Sequence, residues 1–154
     1  MKTMAPTRPT ELHGRRVRLP ARPATPAEAR SQVRAAICAW DLPVDPDVAA
    51  LLTGELVTNA LMREAGDSIT VDIGCGGDHL RVDVHDSSPA RPVVVDAPAD
   101  AETGRGLMLV AALSTSWGAY RTPTGKAVYF TLEFQPGPAG DAARRPERAQ
   151  TWGL

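Results

Sequence analysis

The segment P-D-V-A-A-L-L-T-G-E-L-V-T-N-A-L-M, residues 46–62, is apolar at helical spacing but carries a carboxylate and an amide, Glu55 and Asn59, four residues apart. Asp45 followed by Pro46 is a cap-then-proline start. The spacing predicts a helix running to about residue 65 and stopping at Gly66-Asp67. At about 100° per residue, Val48, Leu51, Leu52 and Met62 fall within about 60° of Glu55, and Asn59 lies one turn on, about 40° round. The expected apolar stripe therefore holds a polar pair in its middle. Burying an unpaired carboxylate costs several kcal/mol, so the pair needs partners or water. One reading is a rim position at solvent, or a buried pair satisfied by backbone groups. The other is a ligand pocket over this helix, with Asn59 on a cation and Glu55 polarising a nucleophile.

Working outward, Thr25-Pro26-Ala27-Glu28 predicts an earlier helix, with Thr25 as N-cap and Glu28 closing a capping box. Ala29, Val33, Ala36, Ile37 and Trp40 form its apolar face, and residues 41–43 end it. A short strand is predicted at 16–19. Two alternating strands follow the central helix, through Ile69/Val71/Ile73 and Leu80/Val82/Val84, with a turn at 74–78. A Pro-rich loop spans 87 to about 103, a third helix starts near Gly106, and strands at 117–121 and 126–134 flank the turn T-P-T-G. Helices that cluster early, with strands joined by hairpins, predict an α+β fold. Its architecture is a two-layer α/β sandwich, a mostly antiparallel sheet with helices packed on one face.

The chain has 154 residues and a net charge of −1, enough for one domain with a core. That balance gives no electrostatic ground for direct nucleic-acid or membrane partners. Two isolated cysteines, Cys38 and Cys75, make no disulfide framework, and a reducing, cytoplasmic setting is expected. The start M-K-T-M-A-P-T-R-P-T lacks the apolar region of a signal peptide, and no apolar run reaches membrane-spanning length. Residues 1–11 and 135–154 are Pro-rich without apolar period and are expected to be disordered tails of a domain spanning 12–134. Trp152 in the second tail is read as a stray aromatic.

Two further segments bear on the polar pair. Asp86 ends the hydrophobic strand V-H-D-S-S-P, where a carboxylate can accept from an exocyclic amine such as that of adenine, or simply start a turn. Glu102-Thr103-Gly104-Arg105-Gly106-Leu107 precedes a helix, where glycines admit an anion to free N–H groups, or act as a hinge. Other nucleotide motifs fail: Leu109 stands where G-x-G-x-x-G needs glycine, and Gly125-Lys126 has Tyr120 in place of the first P-loop glycine. His13, His79 and His85 show no metal-ligand spacing with the cysteines.

The order E-L-V-T-N-A, then Asp86, then G-R-G-L at a helix start resembles the GHKL (Bergerat-fold) ATPases, which include gyrase-type ATPases and histidine kinases. Within them the chain is most similar to the small anti-sigma-factor serine/threonine kinases, over roughly residues 15–134. The resemblance implies Glu55 as the general base, Asn59 as the Mg²⁺ ligand and Asp86 as the reader of the adenine amine. It implies Gly104, Arg105 and Gly106 as a phosphate-side loop, with Ser88 and Leu107 also lining the nucleotide. ATP and Mg²⁺ are the implied cofactors, an anti-sigma-factor antagonist or a sigma factor the implied partner, and a homodimer the implied assembly. The implied activity is phosphorylation of the antagonist's Ser or Thr. The alternative is a non-catalytic module that sequesters a sigma factor, with nucleotide weak or structural. The chain departs from the pattern in three places. Arg63-Glu64 replaces a histidine, D-S-S-P-A replaces D-x-G-x-G, and Ala127 stands near an expected adenine-lining threonine.

Overall fold

Strand β1 (His13–Pro20) alternates half-buried and exposed side chains, the pattern of a strand with one face on a core. It is followed by α1 (Thr25–Trp40), α2 (Pro46–Leu61), β2 (Ser68–Cys75), β3 (His79–Asp86), α3 (Glu102–Leu113), β4 (Ser116–Thr122) and β5 (Gly125–Glu133). The computed structural model describes residues 12–63, 66–87 and 102–136, without the side chains of 102–105. Of the tails expected at 1–11 and 135–154, residues 1–11 and 137–154, Trp152 included, lie outside the described residues, as does Ser88.

The sheet is antiparallel throughout, in the order β1-β2-β3-β5-β4. The helices cover one face, giving the two-layer α+β architecture expected from the hairpin pattern. Ile69, Val71, Ile73, Leu80, Val82, Val84, Val128, Phe130 and Leu132 point into that layer and meet Ala29, Val33, Leu52, Leu56, Val57 and Val110. Burying each large aliphatic side chain contributes about 1.5–3 kcal/mol, so this layer is the main source of stability.

The opposite face is polar and holds a problem of its own. Asp72 on β2 and Asp83 on β3 are directly opposed in register, and like charges so placed destabilise a sheet. Each has its own arginine. Arg16 forks onto Asp72 at 2.7 and 2.8 Å, and Arg81 onto Asp83 at 2.8 and 2.9 Å. The Tyr120 hydroxyl donates to Asp83 at 2.6 Å, and Arg81 stacks 3.9 Å from the Tyr129 ring centre. His85 lies 3.1 Å from Asp72. Burial pushes the Asp72 carboxyl up, but hydrogen bonds to His85 and Arg16 outweigh it and hold the group well below the usual carboxylate range.

Local readings need four corrections. Thr25 does not cap α1; Ala24 occupies that position, while the Thr25 hydroxyl donates to the Pro20 carbonyl and accepts from Arg22 N–H at 3.0 Å. Glu28 pairs with Arg22 and closes no capping box. The helix α2 ends at Leu61, four residues short of the expected end. Finally, α3 begins at Glu102, so Gly104–Gly106 lie in its first turns and form no loop ahead of it. The α2 start agrees with expectation: Asp45 accepts from the N–H groups of Asp47 and Val48 at 2.9 and 3.4 Å.

Candidate functional site

The polar pair of α2 rotates away from where the helical wheel placed it. Leu51 and Met62, its supposed buried neighbours, are 40% and 56% exposed. The buried face runs through Ala49, Leu52, Thr53, Leu56, Val57 and Ala60. Glu55 is half-buried and Asn59 is buried, so the pair sits on the border where α2 leaves the core. A helix apolar nearly all round has no periodic signal to choose its inner face, so packing chooses it.

Asn59 is 7% exposed, and its Oδ1 has no hydrogen-bond partner among the described residues. An orphaned buried acceptor costs about 1–3 kcal/mol unless water or an ion satisfies it. An amide carbonyl oxygen is a hard donor of the kind that Mg²⁺ takes alongside phosphate oxygens. The orphan therefore fits a cation.

Glu55 meets α3 at Gly106. A Cβ added at Gly106 would stand 2.5 Å from Glu55 Oε1, so glycine is what lets the first turns of α3 close on this carboxylate. Leu107 and Val110, at 2% and 0% exposure, anchor α3 in the core, while Met108 is 62% exposed. The helix thus delivers its N-terminal turns, with the positive end of the dipole, to the Glu55 side of α2. Of Arg105, only its place in the helix is described.

Asp86 ends β3 on the helix-facing side, in line with Leu80, Val82 and Val84. Its direct partner in the sheet is Lys126. The Lys126 Nζ donates to Asp86 Oδ2 at 2.5 Å, and the two side chains are 3% and 2% exposed. The backbones close tightly here: a Cβ on Gly125 would fall 2.0 Å from the Asp86 carbonyl oxygen, where nothing flexible can yield. No sequence motif marks Lys126, since Gly125-Lys126 lacks the first P-loop glycine. The missed signal is the alternation of β5: Val128, Phe130 and Leu132 face the helices, so Lys126 must also face them. Ala127, the residue weighed for the late adenine-lining position, pairs with His85 and belongs to the opposite face.

The structure thus brings Glu55 to Gly106, and puts Asn59 on the same helix and Asp86 at a strand end on the same side of the sheet. No group of three or more His, Cys, Asp or Glu side chains that could hold a metal exists among the described residues. Among them, too, no helix is long and apolar enough to cross a membrane. Cys38 is exposed and Cys75 is buried. Residues 19–132 match a family model described as histidine kinase-like ATPase domain. No curated protein matches the chain.

Proposed function

Because the chain belongs to the histidine kinase-like ATPase domain family, whose fold implies ATP binding, we propose that it is a regulatory protein kinase that uses Mg-ATP to phosphorylate a partner. The phosphorylated group is a Ser or Thr of an anti-sigma-factor antagonist. The observation that carries this reading is the orphaned Oδ1 of Asn59, one helical turn from Glu55.

Each residue has a distinct task. Asn59 holds the cation, which supplies charge neutralisation between phosphate groups. The N-terminus of α3 offers the N–H groups of its first turn, Gly104 among them, to phosphate oxygens, and Gly106 in the next turn lets that end of the helix close on Glu55. Arg105 lies in the same turns and Ser88 in the segment after Asp86; both belong to the proposed nucleotide side. Asp86 accepts from the base amine. Glu55 accepts the proton of the attacking hydroxyl as its oxygen bonds to the γ-phosphorus and the bond to the β-phosphate oxygen breaks, releasing ADP. Loss of a general base costs about 10²–10⁴ in rate.

The test pairs γ-labelled ATP, Mg²⁺ and candidate antagonists with Glu55→Ala. The variant is expected to lose partner phosphorylation while keeping ATP and partner binding. Unchanged transfer removes Glu55 from the role. Binding of ATP and a sigma factor, with no transfer to any antagonist, replaces the kinase with a sequestering module. A homodimer is the expected assembly, read by light scattering.

A further inference from the structure

The ammonium of Lys126 is buried under the helix layer, at a position where every other inward residue of β5 that follows it is apolar. A lysine placed there for packing alone carries a desolvation cost that a leucine or methionine avoids. An ammonium has three N–H donors. Among the described residues its recorded acceptor is one oxygen, Asp86 Oδ2. The group is therefore under-satisfied in the same layer that holds the orphaned oxygen of Asn59.

We propose that Lys126 is a specificity-determining residue of the nucleobase subsite. It stays bonded to Asp86 and donates a second hydrogen bond to the ring nitrogen N1 of adenine, beside the exocyclic amine that Asp86 accepts. This deepens the ATP-binding reading and rests on it.

The chemistry of the pair matches one kind of base edge. A carboxylate next to an ammonium is an acceptor next to a donor. The amine and N1 of a 6-aminopurine are a donor next to an acceptor, the complement. A 6-oxopurine presents the two in the opposite order, a carbonyl and then an N–H. Displacing Lys126 to free Asp86 is the costlier route, because among the described residues the ammonium has no other acceptor to move to. The base therefore meets both residues together. The register Asp86–Lys126 fixes their order along the sheet, and Gly125 holds the two backbones in close approach.

The test is titration calorimetry, at fixed Mg²⁺, with ATP and with 1-deaza-ATP, in which N1 is replaced by C–H. The wild-type protein is expected to prefer ATP by about tenfold or more, the discrimination an unpaired buried donor imposes. Lys126→Met is expected to bind the two alike. Equal binding by the wild type overturns the assignment and leaves the ATP site standing. A preference retained in Lys126→Met also overturns it. Failure of the folded wild type to bind ATP sinks the site and the assignment together. Should Lys126→Met fail to fold by circular dichroism, the wild-type ratio decides alone.

Discussion

The Nζ of Lys126 lies 2.5 Å from Asp86 Oδ2, and this ion pair is closed off from solvent at the end of two neighbouring strands. Removing one member leaves a buried charge without its counter-charge. Lys126→Ala is expected to destabilise the fold by about 3 kcal/mol, and Asp86→Asn combined with Lys126→Met by clearly less. Urea unfolding of the two variants checks the order.

The Asn59 oxygen has no partner to lose among the described residues. Asn59→Leu is therefore expected to leave stability without nucleotide unchanged or raised by about 1 kcal/mol, since a buried unsatisfied polar atom disappears. The same variant is expected to lose the thermal stabilisation that Mg-ATP gives the wild type. Thermal shifts with and without Mg-ATP measure both. A variant that is strongly destabilised yet keeps the Mg-ATP shift contradicts the proposed cation role.

At Gly106 the clash of an added Cβ is with the mobile end of Glu55. Gly106→Ala is expected to keep stability within about 1 kcal/mol of wild type, because the carboxylate swings aside and alanine favours a helix. The swing moves the proposed base, so phosphoryl transfer is expected to fall about tenfold or more while ATP affinity changes little. Melting temperature and transfer rate, read on one sample, test it.

Acid acts through the polar face. The Asp72 carboxyl is held well below its ordinary range by His85 and Arg16, against the upward push of burial. A depressed carboxylate stabilises the fold fully above its unfolded pKa of about 3.9 and loses that contribution as pH falls toward the folded value. Asp72→Asn is expected to be less stable than wild type at neutral pH and to lose less stability on going to pH of about 3. Denaturation curves at the two pH values test the sign.

Much of this architecture was legible in the sequence because its signals are short-range. Asp45-Pro46 started α2 where expected, since a side-chain cap and a proline act within one turn. The period-2 runs of β2 and β3 marked strands because a pleat sends alternate side chains to opposite faces. The order of the three motifs along the chain also identified the family that the match over residues 19–132 shows. Local signals failed where two choices were nearly equal. Thr25 had the chemistry of a cap, but the Pro20 carbonyl supplied a competing partner from outside the helix.

The sequence by itself determined which segments are helices and strands, because helix caps, turn residues and apolar periods act between residues a few positions apart. Only the tertiary structure decided which side of α2 is buried, since that helix is apolar nearly all round and its orientation is set by what packs against it. It also decided that β3 lies beside β5, so that Asp86 meets Lys126 forty positions later in the chain. Such a pairing depends on long-range strand register, which is fixed by the joint burial of whole faces and leaves no mark at either residue alone.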